Sequence, residues 1–247
     1  MVLKAKVLGA GILILLAVLC ILLIGEARKN VKEYEILAVN SEGEITEDFI
    51  RQVSKLEGVS RVSGIMGVQV HLKVEGYEQD MVLKGVDLET YPLHIKDCEE
   101  NLQLGSQIPL FLGGRSLDGL LDHNGRVISD KVKKDLFHRG IGLEIEISTM
   151  GTVSENPDQG IGTSTEINMG MNIDTPSKLS PPKRDGIWAA VIRGDVNEIY
   201  IPFEDGEKLA ENLGLEEKVN EIYIKIRGKT NYQDVKQSLE TSGLTVN

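Results

Sequence analysis

Residues 34–62, YEILAVNSEGEITEDFIRQVSKLEGVSRV, read as strand, helix, strand. Tyr34–Asn40 has the two-residue alternation of a half-buried strand. Ser41–Glu44 is a turn. Thr46 is placed to cap a helix, with Glu47 and Asp48 in its first turn, where negative charge complements the helix dipole. Phe49, Ile50, Val53 and Leu56 share one face at helical spacing, and Gly58 follows as a C-terminal cap. Val59–Val62 returns to strand. Val68, Val70, Leu72 and Val74 make a further strand, and Met81–Val86 pairs with it as a hairpin across Gly76-Tyr77-Glu78.

The C-terminus carries a matching unit. Glu198–Ile201 is a strand stopped by Pro202. Asp205–Leu213 is a helix with Leu209 and Leu213 on one face and Gly214 after it. Val219–Ile226 is a strand with Ile222, Ile224 and Ile226 on one side. Asn231 caps a second helix carrying Val235 and Leu239, which Gly243 closes, and Leu244–Val246 is a short last strand. Strand–helix–strand near both ends predicts an α+β fold in which the two ends pair into one subdomain, 34–91 with 198–247, as in ferredoxin-like and split βαβ domains.

Residues 92–197 then form an insert between those ends. It reads as β-rich, with strands at Gln107–Leu112, Leu143–Ser148 and Ile187–Ile192, a turn at Asp122–Gly125, and one helix. That helix is capped by Ser129 or Asp130, buries Val132, Leu136 and Phe137, and ends at Gly140. The stretch 149–186 is rich in Gly, Ser, Thr, Asn and Pro. A connection of that length is functional or disordered, and Thr165–Ile173 within it has the pattern of a hairpin arm. Met150, Met169 and Met171 are soft apolar residues in this polar arm. They are the candidate partner contact, because exposed methionine adapts to varied surfaces; the alternative is a loop with incidental methionines.

Ahead of all this lies Val7–Ile24, VLGAGILILLAVLCILLI, 18 residues without a charge or a proline. As a helix it covers about 27 Å, close to the ~30 Å hydrocarbon core of a bilayer. Its Val, Leu and Ile residues, among them Val7, Ile12, Leu16, Leu19 and Ile24, make residues 1–25 a transmembrane anchor for 26–247. A cleaved signal peptide is the rival reading, against which stand the length of the run and the poor cleavage site Gly25-Glu26-Ala27. Cys20 follows Leu19 rather than a small residue, so it reads as an apolar helix residue and not a lipidation site. Lys4 and Lys6 precede the run, and Arg28, Lys29 and Lys32 follow it, so local charge does not place the C-terminal part outside the cytoplasm.

Only Lys4 and Lys6 among the charged residues precede the run, so the part beyond it holds 38 acids against 25 Lys and Arg residues, a net charge of −13. That excludes a nucleic-acid binder and an adhesive for anionic lipid, both of which need basic surface. Cys98 is the only cysteine beyond the run, so no internal disulfide forms there. Chemistry is not evident. His71, His94, His123 and His138 lack metal-ligand spacing, and there is no H-E-x-x-H, C-x-x-C, G-x-S-x-G or P-loop. Asp97 and Glu99 flank Cys98 and disfavour a thiolate. No cofactor, metal or catalytic residue is predicted, and the chain reads as a non-enzyme.

Several stretches, in order, resemble the extracytoplasmic domain of MacB-type ABC transporter permeases, a family with relatives among lipoprotein-export and FtsX permeases. Leu56-Glu57-Gly58-Val59 with Val62 is similar to the family's step from first helix to strand. Lys84-Gly85-Val86-Asp87 with Tyr91 is similar to its hairpin arm. Leu136-Phe137 through Gly142-Leu143-Glu144-Ile145 is similar to its helix end and following strand. Ile199-Tyr200-Ile201-Pro202-Phe203 and Val219–Ile224 are similar to its last strands. The resemblance implies a porter-like α+β subdomain with a smaller, mainly β insert, lying outside the cytoplasm.

The family's domain follows a first membrane helix and precedes three more, and it works with a cytoplasmic ATPase. Here the chain ends at Asn247, straight after the last strand, so the resemblance implies a single-pass relative. Such a relative works beside an ABC permease and ATPase through protein or cargo contacts, or has lost transport. A stand-alone envelope binding or scaffold domain is the alternative, and an envelope enzyme built from scattered acids a third.

Overall fold

Residues 32–99, 102–150, 182–215 and 218–247 are described by a computed structural model. In chain order the elements are β1 (Glu33–Val39), α1 (Glu47–Val53), β2 (Val59–Val74), β3 (Tyr77–Val86), β4 (Ile95–Cys98), β5 (Ile108–Leu112), α2 (Asp130–Arg139), β6 (Glu144–Ser148), β7 (Lys183–Ile192), β8 (Ile199–Pro202), α3 (Phe203–Leu213), β9 (Val219–Arg227), α4 (Lys229–Thr241) and β10 (Thr245–Val246). The architecture is mixed α+β, and its contacts divide the chain into two units. Of the described residues, one holds those up to Ser63 together with Glu221–Asn247, and the other those from Gly64 to Asn220.

In the terminal unit the strand order is β10-β1-β9-β2, with β1 antiparallel to both of its neighbours. Counted within the unit, that is the order 4-1-3-2 of a strand–helix–strand motif laid against a second one. The period-two pattern sets the register: Ile36 lies opposite Ile224, and Ala38 opposite Ile222. These residues are almost wholly buried, with Val53, Val235 and Leu239 from the helices. Thr46 caps α1 as its sequence requires, accepting a hydrogen bond from Phe49 N at 3.3 Å. Asn231 does not cap α4. The helix begins three residues earlier, after Gly228, whose φ of 91° suits glycine, and no side chain caps it. The Asn231 amide instead donates to Arg227 O at 2.9 Å and lies over Gly58, where a Cβ would meet it at 2.2 Å. Gly58 is therefore needed for close approach and a φ of 80°, five residues beyond the end of α1.

The central unit is a ring of strands. From Gly64 onward β2 pairs with β3, β3 with β8, β8 with β5, β5 with β7, β7 with β6, and β6 returns to β2. Six strands thus close a small barrel, with β4 attached outside the ring to β7. Closure removes the free edges that an open sheet would expose. One face of every strand fills the interior: Val68, Val70 and Leu72 of β2, Leu83 of β3, Leu110 and Leu112 of β5, Ile145 and Ile147 of β6, Ile199 and Ile201 of β8. Gly186 belongs to the same face, and a Cβ there would lie 2.3 Å from Leu110 Cδ1. Trp188 is fully buried among these residues, edge-on to Phe137 of α2 at 5.0 Å between ring centroids. Gly206 brings α3 against Met66 and Gly85.

Two differences from the sequence reading have physical causes. Val59–Val62 and Val68–Val74 form one 16-residue strand rather than two. Gly67 does not turn the chain; a side chain there would press on Val82, and its N–H donates to Lys218 O at 3.4 Å. The unit boundaries also fall elsewhere than 91/92 and 197/198. The pairings of β3 with β8 and of β8 with β5 are part of the ring, so β3, β8 and α3 group with the middle of the chain.

A bidentate ion pair ties the β2–β3 turn to α2. Arg139 donates through Nη1 and Nη2 to the Glu75 carboxylate at 2.8 and 2.6 Å. Glu75 sits at φ 47° in that turn, followed by Gly76 at 85°. The Arg139 hydrogen bonds hold the Glu75 carboxyl below its ordinary range, against a smaller upward push from desolvation. A carboxyl lowered on folding stabilises the protein above its unfolded pKa, about 4.3, and the contribution disappears as pH falls through the lower folded value. Glu75→Gln is therefore expected to lower the unfolding free energy from urea titration at pH 7 by the ~0.2–1 kcal/mol of an exposed pair. As pH falls below the lowered folded value, the difference from the parent protein shrinks toward zero. A difference that persists unchanged into strong acid would assign the effect to the turn rather than to charge.

Candidate functional site

An apolar bowl of about 720 Å³ opens on the surface of the central unit. Its floor is the outer face of the barrel at Pro109 and Phe111 of β5, Ala189 of β7 and Pro202 of β8. These side chains point outward because their neighbours Leu110, Trp188 and Ile201 take the interior, the alternation that any barrel wall imposes. The register shifts between Leu110 and Phe111, which pair with Trp188 and Ala190, so Ala189 is the extra residue of a bulge.

Two connections frame the floor. The chain between β3 and β4 supplies Leu88, and β4 supplies Ile95 and Cys98. The chain between β4 and β5 supplies Leu102 and Leu104. Leu88, Ile95 and Leu104 are 47%, 42% and 38% exposed, so three large apolar side chains face water around one depression. The volume falls within the ~300–1,000 Å³ of ordinary ligand pockets. The charged lining is Glu99 with Asp205 and Lys208 of α3. Lys208 stands at ion-pair distance from Glu204 and Asp205, 3.9 and 4.0 Å, on a largely exposed helix face.

Of the residues singled out by sequence, Met150 follows β6 and is 43% exposed. Met169 and Met171 lie outside the described residues, as do the anchor residues Val7, Ile12, Leu16, Leu19 and Ile24 and the arm segment 165–173. Among the described residues no helix is long and apolar enough to cross a membrane. His71 on β2 sits opposite Asp80 on β3, with Nδ1 2.8 Å from Asp80 Oδ1 and Nε2 3.5 Å from Glu78 Oε2. Among the described residues no group of three or more His, Cys, Asp or Glu side chains is arranged to hold a metal. Cys98 is a free, exposed thiol on β4 at the wall of the bowl.

Elsewhere in the unit, charge serves the loops. Asp118 is held below the ordinary carboxylate range by hydrogen bonds from Arg115 and Lys133, and Asp122 by the backbone N–H groups of Arg126 and Asn124 in the DHNG turn. These are bracing contacts between consecutive turns and α2. Sequence inspection passed over the bowl. The one available signal was Leu102–Leu110, LQLGSQIPL, an uncharged run in a chain that is 26% charged.

No family model matches the chain, and no curated protein does. Solved structures similar to it include the extracellular domain of the noncanonic ABC-type transporter YknZ from Gram-positive bacteria. That one shares 12% identity over 83% of this chain and 88% of the other, with a TM-score of 0.43. Another is the periplasmic region of MacB from Actinobacillus actinomycetemcomitans, at 12% identity over 83% of this chain and 80% of the other, with a TM-score of 0.45.

Proposed function

We propose that Val7–Ile24 holds this chain in a membrane and that residues 26–247 act outside the cytoplasm as a non-enzymatic contact domain. In this reading the domain is a component or relative of a MacB-type export system and works beside an ABC permease and its cytoplasmic ATPase. The single observation that carries the anchor is the uncharged 18-residue run, which is long enough to span and stands directly ahead of a folded part that begins at Glu33. The ordered set of sequence stretches from Leu56 to Ile224 supports the connection with export. An open bowl ringed by the exposed side chains of Leu88, Ile95 and Leu104 suits recognition of an apolar partner surface.

The test is topology. In intact protoplasts, added protease is expected to degrade residues 26–247 while the chain stays with the membrane through alkaline carbonate extraction. Protection of the domain until the membrane is permeabilised overturns the outward placement, and carbonate release overturns the anchor. Partnership is read separately. Cross-linked membranes are expected to yield an ABC permease or ATPase with the chain, and a neighbouring reading frame with a P-loop agrees with that. Repeated recovery of the chain without either assigns it to the alternative, a stand-alone envelope binding domain.

A further inference from the structure

Charge in the terminal unit is sorted along its strands. At the end where β1 begins, backbone pairing gathers three stretches of chain. Glu33 lies opposite Arg227, Gly228 N–H donates to Lys32 O at 3.0 Å, and Arg227 N–H donates to Gly58 O at 2.8 Å. These stretches, 32–34, 55–60 and 225–232, hold Lys32, Lys55, Lys225, Arg227 and Lys229 against Glu33 and Glu57, a net charge of +3. Lys32, Lys55, Arg227 and Lys229 are exposed. Lys225 and Arg227 approach Glu33 to 2.6 and 3.3 Å, so that acid is already answered. Lys32 Nζ lies 5.1 Å from the centre of the Tyr34 ring, and that ring meets Tyr232 of α4 at 5.0 Å. At the other end of the unit, stretches 40–48 and 240–247 hold Glu42, Glu44, Glu47, Asp48 and Glu240 and no cation. The seven residues of β1 set the two ends about 20 Å apart.

The basic end is also the end nearest the apolar run. Lys32 stands eight residues beyond Ile24, so even a fully extended connection keeps it within about 28 Å of the run. With the run in a bilayer, the cations lie beside the headgroups and the acids about two Debye lengths further off. We propose that this end of the terminal unit rests on anionic phospholipid headgroups, with Lys32, Lys55, Arg227 and Lys229 meeting the phosphates. Cations next to a membrane span are drawn to anionic lipid over about one Debye length. The net charge of −13, which argues against lipid adhesion, belongs to the part beyond the run taken whole, and this end does not share it. A second copy is a poor occupant. Basic and acidic ends attract head to tail, but equal tethers hold the basic end of every copy near the same bilayer, so neighbours present like ends at one level. The inference rests on the anchor reading of Val7–Ile24 and names what the anchored domain touches. It holds on either side of the membrane.

The experiment uses the full chain in nanodiscs of phosphatidylcholine, with or without added phosphatidylglycerol. Acetylation by an activated ester, read by mass spectrometry, reports which lysine amines the bilayer covers. Acetylation of Lys32, Lys55 and Lys229 is expected to slow at least about fivefold in the anionic discs. Lys236, about two turns further along α4, is expected to react alike in both. High salt restores the rates, because the attraction to headgroups is screened. Lys55→Glu with Lys229→Glu, both exposed positions, is expected to return Lys32 to its phosphatidylcholine rate with unchanged circular dichroism. Lys55→Arg with Lys229→Arg keeps the charge and is expected to keep Lys32 covered.

Equal, fast rates in the two lipids overturn the inference. Slow acetylation in both assigns the end to a protein contact and does the same. Equal slowing at Lys236 means diffuse adhesion rather than a resting end. Undiminished cover of Lys32 in the folded Lys55→Glu, Lys229→Glu variant traces it to the tether alone, and either result overturns the inference. Carbonate release of the chain sinks the anchor, and this placement with it, whatever the rates. An anchored chain with equal, fast rates sinks only this assignment.

Discussion

Trp188→Ala is expected to cost about 3–5 kcal/mol, the range of a large aromatic removed from a packed interior. Trp188 is fully buried in the barrel, opposite Leu110 across the β5–β7 pairing. It makes three separate contributions there. Its ring fills the space that Gly140 leaves open, where a Cβ would lie 2.4 Å from Trp188 Cζ3. It meets Phe137 nearly at right angles, 86° between planes, an arrangement worth about 0.5–1.5 kcal/mol beyond area burial. Its Nε1–H donates to Ala190 O at 3.2 Å, across the bulged Ala189. Removal leaves that carbonyl without its indole donor. For a domain whose total stability is of the usual ~5–15 kcal/mol, this is a large fraction.

Urea titration followed by far-ultraviolet circular dichroism measures it, since the chain's single tryptophan is lost with the substitution. Trp188→Phe keeps the edge-to-face partner and most of the volume, and is expected to cost markedly less. If Trp188→Ala unfolds at the parent's midpoint, the barrel is not packed around this ring. Phe111→Ala, a change to the bowl floor outside the barrel, is the contrasting control.

The residues that made the fold legible are those whose neighbours in space are also neighbours in sequence. Ile222, Ile224 and Ile226 announce a strand by alternation alone, and Ser129 announces the start of α2 because its hydroxyl reaches Val132 N three residues on. The elements β1-α1-β2 and β9-α4-β10 follow from such local signals. Ring closure does not. It depends on Leu72 of β2 meeting Ile147 of β6, 75 residues away, and no property of either strand names the other.

Asn231 shows the same limit at short range. It is a good capping residue by type, but Gly228 lets the helix start earlier and turns its amide toward Arg227 and Gly58. The bowl was the least legible feature. Leu88 and Leu104 lie in two connections and Ile95 on the short, wholly exposed strand β4, so each looks like an isolated exposed apolar residue. Only the folded connections bring them together. The methionine pattern drew attention instead, and of its three members the described structure includes Met150 alone.

Gly113→Ala carries the second large expected effect, and its cause is steric alone. Gly113 is outside the positive-φ set, so alanine fits its backbone conformation. The obstacle is the neighbouring chain: an added Cβ would lie 2.3 Å from Val196 O, 2.8 Å from Val196 C and 2.9 Å from Glu198 O. All three are backbone atoms that cannot rotate aside. The segments must separate, which strains or breaks Gly113 N–H to Glu198 O and Arg115 N–H to Val196 O, both 2.9 Å. Ser116 moves with them, and its carbonyl is the acceptor for the buried Gln79 amide at 2.9 Å.

Overpacking of about 1–3 kcal/mol together with two hydrogen bonds at about 0.5–1.5 kcal/mol each gives an expected loss of ~2–6 kcal/mol. Gly206→Ala is the comparison. There the nearest atom, Met66 Cε at 2.7 Å, is the free end of a flexible side chain that can swing away, so the cost should be much smaller. Urea midpoints for the two variants measure the difference, and amide exchange at Arg115 should accelerate only in Gly113→Ala. If Gly206→Ala proves the costlier, backbone approach at 113–116 is not what holds the β5 end of the barrel to the residues leading into β8.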